Sequence, residues 1–460
     1  MALLDFYKTS APSVEKVPAG KQDEVYKRLR FQTFISGTLA YALFYVCRLS
    51  LGVMKQPMID EGLLTATQLG IIGACLYWAY SVAKLINGFL VDHSNIKRFM
   101  ATGLIISVMM NLGMGILGAS AAKTGISNSV LFVAFAVMWA INGCSQSLGA
   151  PCAIVGLTRW YPRNQRGTYY GFFSASHNFG EGLSFIFVGA LVAAFGWKWG
   201  FFGAAAAGVL GIMLILMFLH DTTESKGLPS IEVLSGEVDE DARESRDDVK
   251  KMQKAVIRNA GVWILAISSA FMYMSRYAIN EWGIIFLQKV KDYDLGEAAA
   301  VVGINPIFGI IGTVFSGWLS DAVFKGDRKY PAFVAGILEA LSLALFLFGG
   351  PSKWVNIAAM VLFGIAIGVL ISFLGGLMAI DIVPRKATGA ALGIVGMASY
   401  AAAGLQNVVT GLLLDGMSVK DASGAITEYN FTYVAWFWFA SAVIAFVLPV
   451  LNWRRKQAEV

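Results

Sequence analysis

GFLVD, residues 88–92, comes back as GWLSD at residues 317–321. Each pentad closes a long apolar run and ends it on an acid, Asp92 in one case and Asp321 in the other. The interval, 229 residues, is half of a 460-residue chain. Within one residue the same interval relates Arg48 to Arg276, and PRNQRG at Pro162 is echoed by PRKATG at Pro384. A duplication therefore organises the chain, and what stands in one half has a counterpart in the other.

Outward from the pentads the sequence is mostly apolar. With 57% hydrophobic and 14% charged residues, it carries more apolar surface than compact soluble domains can bury. A bilayer core roughly 30 Å thick takes about 20 apolar residues per helix. About twelve such runs stand near 31–53, 66–91, 99–119, 129–157, 168–194, 198–219, 260–288, 296–319, 331–350, 354–380, 387–415 and 431–452. The expected class is an all-α membrane protein with twelve transmembrane helices in two pseudo-symmetric six-helix halves, residues 31–220 and 259–453. Between them residues 221–258 contain DEDARESRDDVKK, the composition of a solvated connector.

The loop charges set the orientation. Lys8, Lys16, Lys21, Lys27, Arg28 and Arg30 precede the first run, and alternate connections after it hold Lys97, Arg98, Arg159, Arg163, Arg166, Lys325, Arg328, Lys329, Arg385 and Lys386, with Arg454, Arg455 and Lys456 at the end. The other connections hold only Lys55, Lys123, Lys198, Lys289, Lys291, Lys353 and Lys420. Lys and Arg collect on the cytoplasmic side, so residues 1–30, the connector and the tail 454–460 are expected there, in a bacterial inner membrane. The first thirty residues lack a short apolar stretch with a small-residue cleavage site and do not read as a cleaved signal peptide. A net charge of +6 scattered over short loops answers to topology rather than to nucleic acid. Cys47, Cys75, Cys144 and Cys152 lie in apolar segments without metal-ligand spacing, so no disulfide, metal or cofactor is implied.

Three cations fall inside the runs: Arg48, Lys84 and Arg276. Each costs about 2.5–3.5 kcal/mol at a helix centre on insertion scales, unless it faces a wet cavity or a partner. Snorkelling is open to Arg48, near the end of its run. For Lys84 and Arg276 the alternative is an ion pair with a buried acid, Glu181 or Glu281. Tyr41, Tyr45 and Arg48 share one helical stripe, Tyr80 and Lys84 are four apart, and Tyr273 precedes Arg276 by three. Two symmetry-related guanidinium forks point to phosphate or carboxylate, which they bind bidentately. His177 in SASHNFGEG could hydrogen-bond that anion or adjust its protonation, and its neighbour Asn178 is expected at the substrate with it.

Two duplicated six-helix halves with a glycine-to-aspartate loop after the second helix of each resemble the major facilitator superfamily. In such folds the substrate site lies near the midplane between the halves and access alternates as one half rocks on the other. YALFYVCR (41–48), YSVAK (80–84), DHSNIKRFM (92–100), WYPRNQRG (160–167), SHN (176–178), YMSRYAINEWG (273–283) and SDAVFKGDRK (320–329) narrow this. They resemble the organophosphate:phosphate antiporter family, which includes bacterial glycerol-3-phosphate and hexose-phosphate transporters and a hexose-phosphate sensor. The resemblance implies exchange of a phosphate ester for inorganic phosphate, with Arg48 and Arg276 as paired phosphate-binding arginines and His177 as a substrate-binding histidine. Lys84, Tyr41, Tyr45, Tyr80, Tyr273 and Tyr400 match its cavity positions. Asp92, Asp321 and Arg166 are expected to be gating or structural groups, and a monomer is expected.

The sequence departs from the family at Leu49, where a base is usual, at Pro306, where an acid is common, and at Leu392 and Val395, where the hexose-phosphate transporter has a charged pair. WYPRNQRG and INEWG lean toward the hexose-phosphate branch. Glu181 is unusual in its glycine-rich segment and is expected to neutralise Lys84; Glu339 has no evident partner. Without an anion, closing two arginines together would pair like charges in a water-poor site, which makes exchange reasonable. Rival classes are a receptor that binds hexose phosphate and signals to a sensor kinase, and a proton-coupled organic anion symporter using Glu181, Glu281 or His177. No nucleophile and base, metal spacing or phosphate-cradling loop argues for an enzyme.

Overall fold

A computed structural model describes residues 2–236, 254–318, 320, 323–324, 327–383, 388–421 and 426–452. Twelve helices in it are long and apolar enough to cross a membrane: Ala19–Asp60, Ala66–Gly88, Ile96–Ala121, Asn128–Trp160, Thr168–Phe195, Trp197–Phe218, Ala260–Lys291, Leu295–Ser316, Lys329–Phe348, Lys353–Leu377, Ala390–Met417 and Thr432–Val450. They are the first to twelfth spans below.

Local chemistry fixes their ends. Thr65 caps the second span by a reciprocal box, its Oγ1 accepting from Gln68 N while Gln68 Oε1 accepts from Thr65 N. Asn95 Oδ1 accepts from Arg98 N at the start of the third. Asp292, at φ 58°, ends the seventh in the left-handed conformation.

Two seams join the halves in mirrored fashion. The second span meets the eleventh so closely that a Cβ on Gly70 would lie 2.4 Å from the Asn407 carbonyl oxygen. The fifth meets the eighth where a Cβ on Gly182 would lie 2.9 Å from Ile307. Small residues permit this approach of backbones, which packing rather than hydrophobicity drives inside a bilayer. The first and seventh spans face each other as expected, Gly52 lying against the Asn280 carbonyl.

At one end polar ties cinch the halves: Asp415 Oδ2 accepts from Thr67 N at 2.7 Å, Tyr429 Oη from Gln56 at 3.2 Å, and Asp60 from Lys289 at 3.1 Å. A two-stranded hairpin, β1 Val419–Lys420 and β2 Ile426–Glu428, sits at this end. The first and seventh spans are longer than their apolar runs. Lys55 and Lys291, expected in loops, are therefore helical and buried.

At the other end the first residues strap the N-terminal half. Ser10 N donates to Asp221, Ser13 N to the Glu224 carbonyl and Val17 N to that of Gly227, while Tyr7 and Thr102 share a hydroxyl bond of 2.8 Å. Asp221 also accepts from Arg159 at 2.5 Å and from Ile96 N at 3.0 Å.

Candidate functional site

Arg48 sits deep in the first span with 1% of its surface exposed. All three of its guanidinium nitrogens are buried without a hydrogen-bond partner. Its guanidinium carbon instead lies 4.7 Å from the Tyr45 ring centre and 4.3 Å from that of Tyr80, cation–π contacts that hold the fork without using its donors. This is no snorkelling arginine: five N–H groups are oriented and unspent.

Lys84, one turn beyond Tyr80, approaches that ring at 5.8 Å and the Tyr400 ring at 5.4 Å. It is exposed. Tyr80 and Tyr400 stand 4.5 Å apart, Tyr273 is 5.4 Å from Tyr400, Tyr41 and Tyr45 are 5.5 Å apart, and His177 lies 5.9 Å from Tyr45. Residues predicted from five separate segments thus converge into one aromatic-lined cluster bearing uncompensated positive charge.

Arg276 differs from its symmetry mate. It donates to Glu181 Oε2 at 2.5 Å, and Glu181 Oε1 accepts from Asn280 Nδ2 at 2.7 Å. Asn280 in turn accepts from Asn305 at 3.3 Å. The pair is almost wholly buried and crosses from the fifth span to the seventh. This corrects the expectation that Glu181 neutralises Lys84: its position on the fifth span aims it across the seam, where Arg276 provides the nearer fork. Asn178, three residues earlier, faces Gly309 of the eighth span and leaves its Nδ2 unpartnered.

Glu281 pairs with neither Arg276 nor Lys84. Its Oε2 lies 2.7 Å from Lys55 Nζ and its Oε1 accepts from Tyr77 Oη at 2.5 Å. Lys55 donates to Asn407 Oδ1 at 2.9 Å, which also accepts from Trp282 Nε1 at 3.0 Å. Lys55 lies seven residues, two helical turns, beyond Arg48, a spacing that signalled a shared face had the run been drawn longer. Tyr77 and Tyr277, whose rings are 4.7 Å apart, were legible as extensions of the Tyr80 and Tyr273 stripes. Glu339 receives the Ser275 hydroxyl and leaves Oε2 without a partner.

Arg166 donates to the Tyr161 carbonyl at 2.8 Å and to that of Thr158 at 2.9 Å, stapling the fifth span to the end of the fourth. Asp321 and the Asp92 side chain lie outside the described residues.

Comparison with known proteins gives a consistent picture. The sequence model described as Major Facilitator Superfamily matches residues 34–406. The chain is 30% identical to the glycerol-3-phosphate transporter of Bacillus subtilis, over 99% of this chain and all of that one. It is 32% identical to a probable hexose phosphate transport protein of Chlamydia trachomatis, over 82% of this chain and 83% of the relative. It is 30% identical to the membrane sensor protein UhpC of Salmonella typhimurium, over 88% and 89%.

Proposed function

This chain belongs to the major facilitator superfamily, within its organophosphate:phosphate antiporter family, and from that premise we propose that it exchanges a sugar phosphate for inorganic phosphate by rocking alternating access. The six-helix halves are residues 31–220 and 259–453, joined by a cytoplasmic connector at 221–258, with both termini cytoplasmic in a bacterial inner membrane. In that orientation the cinched end is external, and Lys84 lies on the cytoplasmic side of Tyr80 along the second span. The protein acts as a monomer.

The observation that carries the reading is Arg48, a buried guanidinium with every donor unspent, beside a lysine that has access to solvent. A phosphoryl group provides the acceptor oxygens such a fork matches bidentately. Lys84 adds a point charge, Tyr80 and Tyr400 the walls and Tyr45 a floor. Arg276 joins when Glu181 releases it, so that the anion bridges the halves through the occluded state. His177, Tyr41 and Tyr273 complete the enclosure around the ester's organic part. A hexose phosphate is favoured and glycerol 3-phosphate is possible, as the two transport relatives divide between these classes.

The test is uptake of labelled phosphate into proteoliposomes loaded with phosphate, challenged outside by glucose 6-phosphate or glycerol 3-phosphate. Uptake that Arg48→Lys abolishes, and that one ester suppresses at the lower concentration, supports the reading and ranks the cargo. Saturable ester binding without uptake moves the assignment to a receptor, the class to which the UhpC relative belongs by name. Wild-type rates in Arg48→Lys refute the phosphate contact.

A further inference from the structure

We infer that Glu181 is a built-in counter-ion that lets this carrier cross the membrane without cargo, so that it supports net flux of phosphate as well as exchange. The inference rests on the exchange reading above and deepens it.

Strict exchange requires that the empty carrier cannot reorient. In a site whose arginines are bare, closing the halves without an anion brings like charges together where little water screens them. Here one of the two symmetry-related arginines is already neutralised from within. Glu181, on the fifth span, meets the Arg276 guanidinium at 2.5 Å, and both side chains are almost wholly buried. The pair spans the two halves at the level of the site, where a bridging phosphate would sit. It therefore imitates the bound anion in the ligand-free protein.

Glu181 is also equipped to let go. Its other oxygen accepts from Asn280 at 2.7 Å, and Asn280 is steadied by Asn305 at 3.3 Å. When a phosphate draws Arg276 away, the carboxylate keeps a neutral donor, which moderates the cost of leaving it buried. Arg48, with no internal partner, remains the first point of contact, so cargo still binds while Glu181 competes for the second arginine. Removing the carboxylate should then tighten phosphate binding and strand the empty carrier.

The experiment compares labelled inorganic phosphate uptake into proteoliposomes loaded with phosphate and into phosphate-free ones, with potassium and valinomycin clamping the membrane potential. Wild-type protein is expected to take up phosphate in both, the net rate lying within about tenfold of the exchange rate. Glu181→Gln is expected to lower the ratio of net uptake to exchange by about tenfold or more, and Glu181→Asp to keep that ratio. Exchange without net uptake above protein-free vesicles in the wild type overturns the inference whether or not the variants fold. An undiminished ratio of net uptake to exchange in Glu181→Gln overturns it too. Absence of uptake even into phosphate-loaded vesicles refutes the exchange reading itself.

Discussion

Replacing Glu281 by Gln should release the halves at their cinched end. Every contact of that carboxylate crosses the seam: Lys55 and Tyr77 come from the first and second spans, Glu281, Trp282 and Asn407 from the seventh and eleventh. Lys55 is fully buried, and its Nζ lies 4.1 Å from the centre of the Trp282 ring. Glutamine leaves the ammonium with Asn407 and the indole but no opposite charge. Breaking a buried pair by removing one partner costs about 3–5 kcal/mol. That cost falls on conformations in which the halves meet here and is relieved in any that opens Lys55 to water. Even the lower figure shifts a two-state equilibrium by about two orders of magnitude. Spin labels on cysteines replacing Asp60 and Lys289, whose side chains meet at 3.1 Å, read the distance directly in a background without the four native cysteines. The distribution should move from a short peak to a long one in Glu281→Gln. It should return toward the short peak in Lys55→Met/Glu281→Leu, which buries no charge. A short peak that survives Glu281→Gln unchanged would refute the view that this network holds the end closed.

Other consequences follow from single contacts. Ser275→Ala deprives the buried Glu339 carboxyl of its partner and should lower stability by about 1–3 kcal/mol, whereas Glu339→Gln, which keeps an acceptor oxygen for the Ser275 hydroxyl, should cost less; thermal unfolding in detergent compares them. Gly70→Ala places a Cβ 2.4 Å from the Asn407 carbonyl and should cut exchange by forcing the second and eleventh spans apart, while Gly171→Ala, with nothing within 4 Å, should leave exchange unchanged. His220, outside the spans, is held by burial, and secondarily by Lys226 and Lys97, at about 4 instead of the ordinary 6.5. Its folded form resists the proton that the unfolded chain accepts, so stability should be constant above pH 6.5 and fall as pH drops toward 4. His220→Gln should flatten that part of a thermal-unfolding pH profile.

Periodicity and charge made the twelve spans and their duplication legible, because apolar length and loop cations are properties the bilayer imposes directly. The aromatic and cationic cluster was legible too: Tyr41, Tyr45 and Arg48, or Tyr80 and Lys84, share a face by helical spacing alone. Pairing across the seam was legible only as a choice: Glu181 and Glu281 stood as candidate partners for Arg276 and Lys84, and Glu181 with Arg276 is the one combination the structure makes. Glu181 meets Arg276 and Glu281 meets Lys55 because of how the fifth span lies against the seventh, and the first against the seventh, which no spacing along one helix encodes. Lys55 was misplaced because a buried lysine two residues past the apolar run reads as a loop residue until a carboxylate is found for it. Asn178 was assigned with its neighbour His177, yet a step of about 100° around the helix turns it toward Gly309.

The strap at the start of the chain has a consequence for biogenesis. The backbone N–H groups of Ser10, Ser13 and Val17 donate to the Asp221 carboxylate and to the Glu224 and Gly227 carbonyls, all synthesised only after the sixth span. Tyr7 and Ser10 already have partners at Thr102 and the capping Asn95 of the third span, so the stretch from Ser13 to Val17 is the part that can be tied down only when the whole first half has been made, and its tie marks that completion. A nascent chain ending near residue 218 should leave the backbone from Ser13 to Val17 open to protease, and one that continues through residue 236 should protect it.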